Sequence, residues 1–589
     1  MDQISVTNFR RFYYVTPRSL GNINIFVGGN NSGKSTLVKA ILLAVDNIRT
    51  MRMGGGDTIK RPQFRFDANQ YHDVKIGTYT RALCHKPEYA FGKPDSLGNK
   101  IEFAFVIGDY EFTIAMTGDE KGNEPTATIT KIDVVNMKYG LRFAYWGDEN
   151  SILAQILLDP KEKQDKIWEL AYQHLEIVEK INKASEDGNL STITTLYAEL
   201  DKIIAQIIPV LQELHIPEED EDEADDSWLN DYDLDNTELF DMSESTSTKK
   251  ETAFMRHLMV DSVSNLVSEN LNEHKYAKST VGFVLDNDTL ANSDYLICEM
   301  INQFIDTLRP MKFNAGDEEY IDVESHQMMQ QELPQLEAFR DGLRSLLNSI
   351  NIEYISAHSA NQNVIYSTTD KNDHIAKAIH DFYSENIKKG SLEAIFVQEW
   401  MEKLGVGVDY EITPIQGEAY TVDIKEKYLS EEEEHEDHVN LADKGMGSIQ
   451  IMVMLFRIAA TLSRFNLTNK TSKELAYKPI IVIEEPEQNL HPNLQTKLAD
   501  ILKEVSEKYH CRFIVETHSE YLVRKIQVLV AQEKYEDEEI LNKNNPFSIM
   551  YFQQNGDPYE MEFRTDGKFS NDFGEGFYDE ASNLAFEIF

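Results

Sequence analysis

The chain has 589 residues, of which 57 are basic and 101 acidic, for a formal net charge of −44 at pH 7. A hydrophobic fraction of 41% is enough for a sizeable core and excludes wholesale disorder; at roughly 100–200 residues per domain, the length allows several domains or one large domain with insertions. No unbroken apolar run approaches the ~18–20 residues that cross a bilayer, so no membrane association is expected. The chain opens on a strand-like segment without a cleavable signal pattern. Its cysteines, Cys84, Cys298 and Cys511, are too scattered for a disulfide framework or a CxxC pair. A reducing, cytoplasmic location is the expectation. Taken alone, the acidity argues against a phosphate-bearing ligand or nucleic acid, but it is unevenly spread.

Residues 1–100 hold 15 Lys/Arg against 7 Asp/Glu, a local net of +8, which leaves −52 on the other 489 residues. Within this basic stretch, 4–9 alternates and 23–27 is apolar, as in strands. Further strand-like pieces are 101–107, 110–115, 127–135 and 141–146. The period then changes. Ile167, Leu170, Ala171, His174, Leu175, Val178 and Ile181 share one helical face, and a break at Asp187-Gly188-Asn189 precedes a second such run, with Pro209 placed to kink it. A pair of helices over 161–214 is predicted. From Glu218 to Glu244 there are fourteen acids and no Lys or Arg, and from Glu431 to Asp437 there are six acids; both runs read as solvated loops. His435 and His438 lie among those acids, but nothing in their spacing fixes a metal site. More helical sequence reaches about Asn348, and strand character returns at 352–355, 480–483 and 513–516.

Four segments carry chemistry. Gly28-Gly29-Asn30-Asn31-Ser32-Gly33-Lys34-Ser35-Thr36 fits GxxxxGK[ST], follows an apolar strand and opens a helical run over 37–45. Backbone N–H groups of such a loop turn toward phosphate oxygens, and the helix N-terminus adds its dipole. Lys34 reaches the β- and γ-phosphates and the Ser35 hydroxyl ligates Mg²⁺, so a nucleoside triphosphate with Mg²⁺ is expected, and the loop alone does not separate kinases, GTPases and ATPases. The second segment, Ile480-Ile481-Val482-Ile483-Glu484-Glu485-Pro486-Glu487, is an apolar strand ending in adjacent carboxylates. Neighbours on a strand point to opposite sides. Glu484 is therefore expected at the Mg²⁺ or its waters, and Glu485 at the attacking water as base. The third, Phe513-Ile514-Val515-Glu516-Thr517-His518-Ser519, is a strand ending in a polar turn whose histidine is placed to sense the γ-phosphate. Lys444-Gly445-Met446-Gly447-Ser448-Ile449-Gln450, leading into a helical run over 451–462, forms a further small-residue anion turn at a helix start.

In that order these motifs resemble the ATP-binding-cassette heads of the SMC, Rad50, RecF and OLD group. Within it the sequence is similar to OLD-like ATPases with AAA-type domains, in the short variety without a nuclease. The resemblance rests on 1–45 and 440–525; the rest matches in layout only. It implies an α/β fold, a P-loop ATPase head with a mixed sheet flanked by helices, a helical-hairpin insertion and a small C-terminal cap. The expected divisions are 1–155 for the first half of the head, 156–348 for the insertion with an acidic loop at 217–245, 349–535 for the second half, and 536–589 for the cap. Asn8-Phe9-Arg10-Arg11-Phe12 is similar to the group's N-terminal element, which implies Arg10 or Arg11 near the nucleotide. Lys444–Gln450 matches the signature loop, with Lys444 and Gly445 in it and Gly447 and Ser448 implied to contact the γ-phosphate held by the opposite subunit. Glu487-Gln488-Asn489-Leu490-His491-Pro492 matches the turn after the paired acids, so Glu487, Asn489 and His491 are carried over. Glu485 takes the catalytic-base position, His518 the switch-histidine position, and Gln362 the position of the Mg²⁺-sensing glutamine; Glu484 stands where many cassette ATPases have Asp.

The implied function is Mg²⁺-dependent ATP hydrolysis by a homodimer or higher oligomer that sandwiches the nucleotide. Rad50-like proteins carry long heptads and a CxxC hook, which 161–214 lacks; long-range DNA tethering is not expected. The residues after His518 are also expected to be too few for an appended nuclease. Relatives with this anatomy work beside separate effectors in bacterial anti-phage systems such as Septu, PARIS and retrons. An ATPase sensor or scaffold that controls a nuclease or toxin is therefore the first expectation. A RecF- or Rad50-like repair ATPase on duplex DNA, and an ATP-bound assembly platform without catalysis, stay open beside it. The acidic runs suit docking of a basic protein better than wrapping of DNA.

Overall fold

The computed structural model describes residues 1–54, 60–67, 74, 76–84, 100–119, 122–136, 138–147, 151–157, 277–285, 290, 295–308, 329–357, 363–367, 373–416, 418–429, 434–471, 477–554, 556–574 and 577. The helices expected at 161–214, the acidic run 218–244 and Gln362 lie outside them.

A six-stranded sheet is the centre of the head. Its order is Ile352–Ile355, Ile480–Glu484, Arg512–Glu516, Ile23–Gly28, Phe547–Phe552, Tyr559–Met561, with all neighbours parallel except the last pair. Parallel sheets are buried on both faces, which accounts for the near-continuous apolar runs. The two faces separate by parity. Ile23, Ile25, Val27, Ile481, Ile483, Phe513 and Val515 enter one core, while Phe26, Ile480, Val482 and Ile514 enter the other. Helix Lys34–Thr50 lies on the second face and buries Leu37, Val38, Ile41, Leu42, Val45 and Ile48 there. Each such side chain contributes about 1.5–3 kcal/mol when fully buried. Helices Met446–Thr471, Pro492–Tyr509 and Glu520–Glu533 cover the first face.

A ten-stranded antiparallel sheet shares the core of helix Lys34–Thr50. Its main path runs Ala277–Val284, Ser151–Leu157, Leu141–Trp146, Thr126–Asn136, Tyr110–Thr117, Ile101–Ile107, Gln3–Phe9, Phe12–Ser19. Ile101–Ile107 alternates buried and half-buried residues, the pattern of a sheet with one face on a core. Helices Leu296–Leu308 and Leu333–Ser349 pack into the same core. The segment 156–348, expected as a helical insertion, thus returns a strand and two helices to the head. Phe547–Phe552 lies beside the strand that leads into the glycine loop, so the segment 536–589, expected as a cap, supplies a strand of the central sheet.

A smaller sheet joins Tyr366–Ser367, Asp409–Ile415, Ala419–Leu429 and Glu434–Asn440. The last strand corrects the loop reading of Glu431–Asp437 from Glu434 onward. Its backbone pairs residue by residue with Asp423–Leu429. Helices His374–Ser384 and Leu392–Lys403, begun by the side-chain caps of Asp373 and Ser391, pack on helix Met446–Thr471.

Helix Met446–Thr471 also qualifies the expectation about apolar runs. Residues Met446–Asn466 reach a mean hydropathy of 1.5, long and apolar enough to cross a bilayer, yet 67% of that stretch is buried inside the fold. The helix carries Arg457, buried with Glu353 of the edge strand at 2.6 Å and bonded to the Tyr354 carbonyl at 3.2 Å. Arg457→Met leaves the Glu353 charge with only the longer contact from Arg464. It is expected to lower stability by about 3 kcal/mol, read as a lower urea midpoint, and Arg457→Met/Glu353→Leu is expected to regain most of it.

Candidate active site

The loop between strand Ile23–Gly28 and helix Lys34–Thr50 opens onto a cavity of about 820 Å³. Arg10, Arg11, Asn30, Asn31, Ser32, Gly33, Lys34, Ser35 and Thr36 line it, together with Glu485 and His518 from the other half of the chain. Gly33 has φ +112°, and a Cβ there would sit 2.6 Å from Phe12 Cζ, so this turn excludes any side chain. Thr36 and Leu37 N–H bond back to the Gly33 carbonyl at 3.0 Å. The Lys34 ammonium donates to the Gly28 and Gly29 carbonyls at 2.9 and 3.0 Å and lies 4.0 Å from Glu516. Burial lowers the Lys34 pKa, and Glu516, Glu485 and Glu487 oppose that shift. Arg11 ties the loop to the segment that follows strand Phe547–Phe552 by donating to the carbonyls of Asn31 and Gln554. Arg10 has φ +52° and its pKa is lowered by burial and by the neighbouring Arg81.

The carboxylates come from the C-terminal ends of two adjacent parallel strands, where Glu484 stands opposite Glu516 in register. Ser35 Oγ donates to Glu516 Oε1 at 2.7 Å. Burial pushes the Glu516 carboxyl up to about 7. Glu485 follows its strand with φ +46°, its N–H held by the Glu516 carbonyl at 2.7 Å. One Glu485 oxygen accepts from Gln488 Nε2, and the other lies 4.0 Å from His518 Nε2. The His518 pKa is lowered by burial and by Lys34, against the pull of Glu485, so the neutral ring is favoured. The N–H of His518 donates to Glu487 Oε1 at 2.6 Å.

Several expected residues stand beside the cavity rather than in its lining. Glu484, expected at the cation, is held by Tyr354 and the Ala357 N–H, and burial raises its pKa. His491 caps helix Pro492–Tyr509, its Nδ1 accepting from Asn493 N–H at 3.3 Å. Ser519 caps helix Glu520–Glu533 and donates to Gln495 at 2.6 Å. These caps hold the two strand-to-helix turns of the site in place. Lys444 is ion-paired with Glu426, and Gly445, Gly447 and Ser448 are outside the cavity lining. Gly447 instead meets the turn after the paired acids, where a Cβ would come 2.6 Å from the Asn489 carbonyl oxygen. Gln450 extends that contact toward Glu485 O and Asn489, each at 3.4 Å.

Lys39, Arg81 and Glu516 line the cavity without having been singled out from the sequence. Lys39 was legible, because it follows Ser35 by one helical turn. Among the described residues no three His, Cys, Asp or Glu side chains group as a metal cluster. A Mg²⁺ ion, which keeps several waters, needs fewer protein ligands than that. Ser35 Oγ with buried Glu516, whose Oε2 has no hydrogen-bond partner, fits such an ion.

A profile described as AAA ATPase domain matches residues 1–523. No curated protein matches the chain. Among solved structures, the crystal structure of an SmcHead bound to the C-winged helix domain of ScpA covers 96% of this chain and 95% of its own, at 9% identity. That superposition is loose, with a TM-score of 0.26, and the family assignment rests on the profile match.

Proposed function

The chain belongs to the AAA ATPase domain family, and from that premise we propose that it hydrolyses ATP in a two-chain sandwich whose state controls a separate effector. The observation that carries this reading is the meeting of Lys34, Glu485 and His518 on one cavity wall beside the glycine loop. Lys34 and the loop's N–H groups hold the phosphates. Glu485 takes the proton of the attacking water, and His518, neutral and close by, donates toward the transferred phosphate. A bound Mg²⁺ would neutralise developing charge on the phosphate oxygens; Ser35 lines the cavity to hold it, whereas Glu484, also expected there, is outside the lining and Gln362 is outside the described residues.

Lys444, Gly445, Gly447 and Ser448 do not line their own chain's cavity, which is consistent with their acting on the nucleotide of a second chain. Gly447 and Gln450 touch the turn that carries Glu485, so closure of two chains would be felt at the base. In this reading the dimer is cytoplasmic and serves anti-phage defence through a partner nuclease or toxin. The acidic runs favour a basic protein partner.

Light scattering with and without ATP and Mg²⁺ tests the sandwich. The wild-type chain is expected to double in mass with ATP and to show any co-purifying effector as additional mass. Ser448→Arg is expected to stay monomeric, keep its ATP affinity and lose about 10²-fold in hydrolysis. Full hydrolysis by a monomer would overturn the two-chain mechanism.

A further inference from the structure

The hydroxyl of Ser35 is bonded to an acid that the motif pattern does not assign. We propose that Glu516, at the end of the strand next to the paired acids, is the positioning carboxylate for Ser35 and for the cation bound with the nucleotide. This rests on the nucleotide reading above.

Three observations carry it. Glu516 is only 4% exposed and lines the cavity, yet its Oε2 has no hydrogen-bond partner. A buried carboxylate oxygen left unpaired is costly, and a water of a bound cation is a group that would satisfy it. Its Oε1 accepts the Ser35 proton at 2.7 Å, which leaves the lone pairs of that hydroxyl for a cation. Glu484, the alternative acid, also has an unpaired buried oxygen, Oε1, but it is drawn to Tyr354 and the Ala357 N–H and, unlike Glu516, neither lines the cavity nor meets Ser35. The terminal torsion of a glutamate is broad, so the two oxygens of Glu516 exchange places at little cost. One then holds Ser35 while the other accepts from the cation's water.

Substitution by glutamine separates the two tasks. The amide oxygen of Glu516→Gln still accepts from Ser35, but its NH₂ cannot accept from a water. The experiment measures Mn²⁺ binding by electron paramagnetic resonance, with the chain saturated by the non-hydrolysable imido analogue of ATP. Glu516→Gln is expected to weaken Mn²⁺ binding about 10–100-fold, and Glu484→Gln by less than about threefold. Affinity for the analogue in EDTA, measured by calorimetry, is expected to hold or rise in Glu516→Gln, because a negative charge leaves the phosphate site. The proposal is overturned if Glu484→Gln alone loses Mn²⁺, or if Glu516→Gln keeps wild-type Mn²⁺ affinity. An equal loss of analogue affinity in EDTA would mark Glu516 as merely structural and overturn it too. Failure of the wild-type chain to bind the analogue under either condition removes the nucleotide reading itself, and this proposal with it.

Discussion

Glu485→Gln is expected to lower kcat for ATP hydrolysis by about 10²–10⁴-fold while leaving ATP affinity within about threefold of wild type. The side chain sits where a base has to be, on the cavity wall shared with Lys34 and His518. Its backbone is held at φ +46°, a region that costs about 1–3 kcal/mol for a residue with a side chain. The Glu516 carbonyl fixes that conformation by accepting the Glu485 N–H, and Gln488 restrains the carboxylate. A glutamine preserves the size and the contact to Gln488 but cannot take a proton. The chemical step should fail with the nucleotide bound, and an ATP-dependent dimer should persist in the mass measurement. Single-turnover hydrolysis with radiolabelled ATP reads the loss directly. The rival base is His518, 4.0 Å away. If it abstracts the proton, His518→Ala costs the larger factor and Glu485→Gln keeps most of the turnover. A monomeric Glu485→Gln chain with wild-type turnover would remove both the base assignment and the dimer.

How far the site was legible depends on where each residue's neighbours come from. Lys34, Ser35, Glu485 and His518 were readable because each lies in a segment that runs from a short apolar strand through a turn into a helix, Lys34 and Ser35 at the helix start and Glu485 and His518 in the turn, a pattern contained in about ten residues. Glu516 ends the strand two residues before His518 and carries no such signal in its own segment. Its role depends on the register that sets it beside Glu484 and across from Ser35, and register belongs to the sheet rather than to the segment. A carboxylate at the end of a buried parallel strand, level with a glycine loop, was nevertheless a usable signal. Strand Phe547–Phe552 was missed for a related reason: its partner is Ile23–Gly28, at the other end of the chain. The strand Glu434–Asn440 was hidden by its own charge, since an acid-rich run reads as a loop until its backbone register against Ala419–Leu429 is known. The basic stretch 1–100 has a sharper meaning in three dimensions. Arg10, Arg11, Lys34, Lys39 and Arg81 converge on the cavity, so a chain of net charge −44 still presents cations to a phosphate ligand.

Lys34→Met is the test of that electrostatic arrangement and should have the larger effect on binding. The ammonium is 3% exposed, and Glu516, Glu485 and Glu487 help to keep it charged. It donates to the Gly28 and Gly29 carbonyls, which a triphosphate oxygen would replace as its partners. Removing one member of a buried charge pair costs about 2–5 kcal/mol, equivalent to roughly 30-fold to several thousand-fold in ATP affinity. Stability of the free chain should change far less. Methionine fills nearly the same volume, and the loss of Lys34 moves the Glu516 pKa further upward, so that acid is neutralised instead of standing as an unpaired charge. Thermal melts with and without nucleotide distinguish the two effects. Wild type at about 100 times its Kd should gain about 2.7 kcal/mol from ATP, whereas Lys34→Met at the same ATP concentration should gain no more than about 0.9 kcal/mol. An unchanged ATP-induced shift in Lys34→Met would mean that the nucleotide is held elsewhere, and the glycine loop would lose its assigned role.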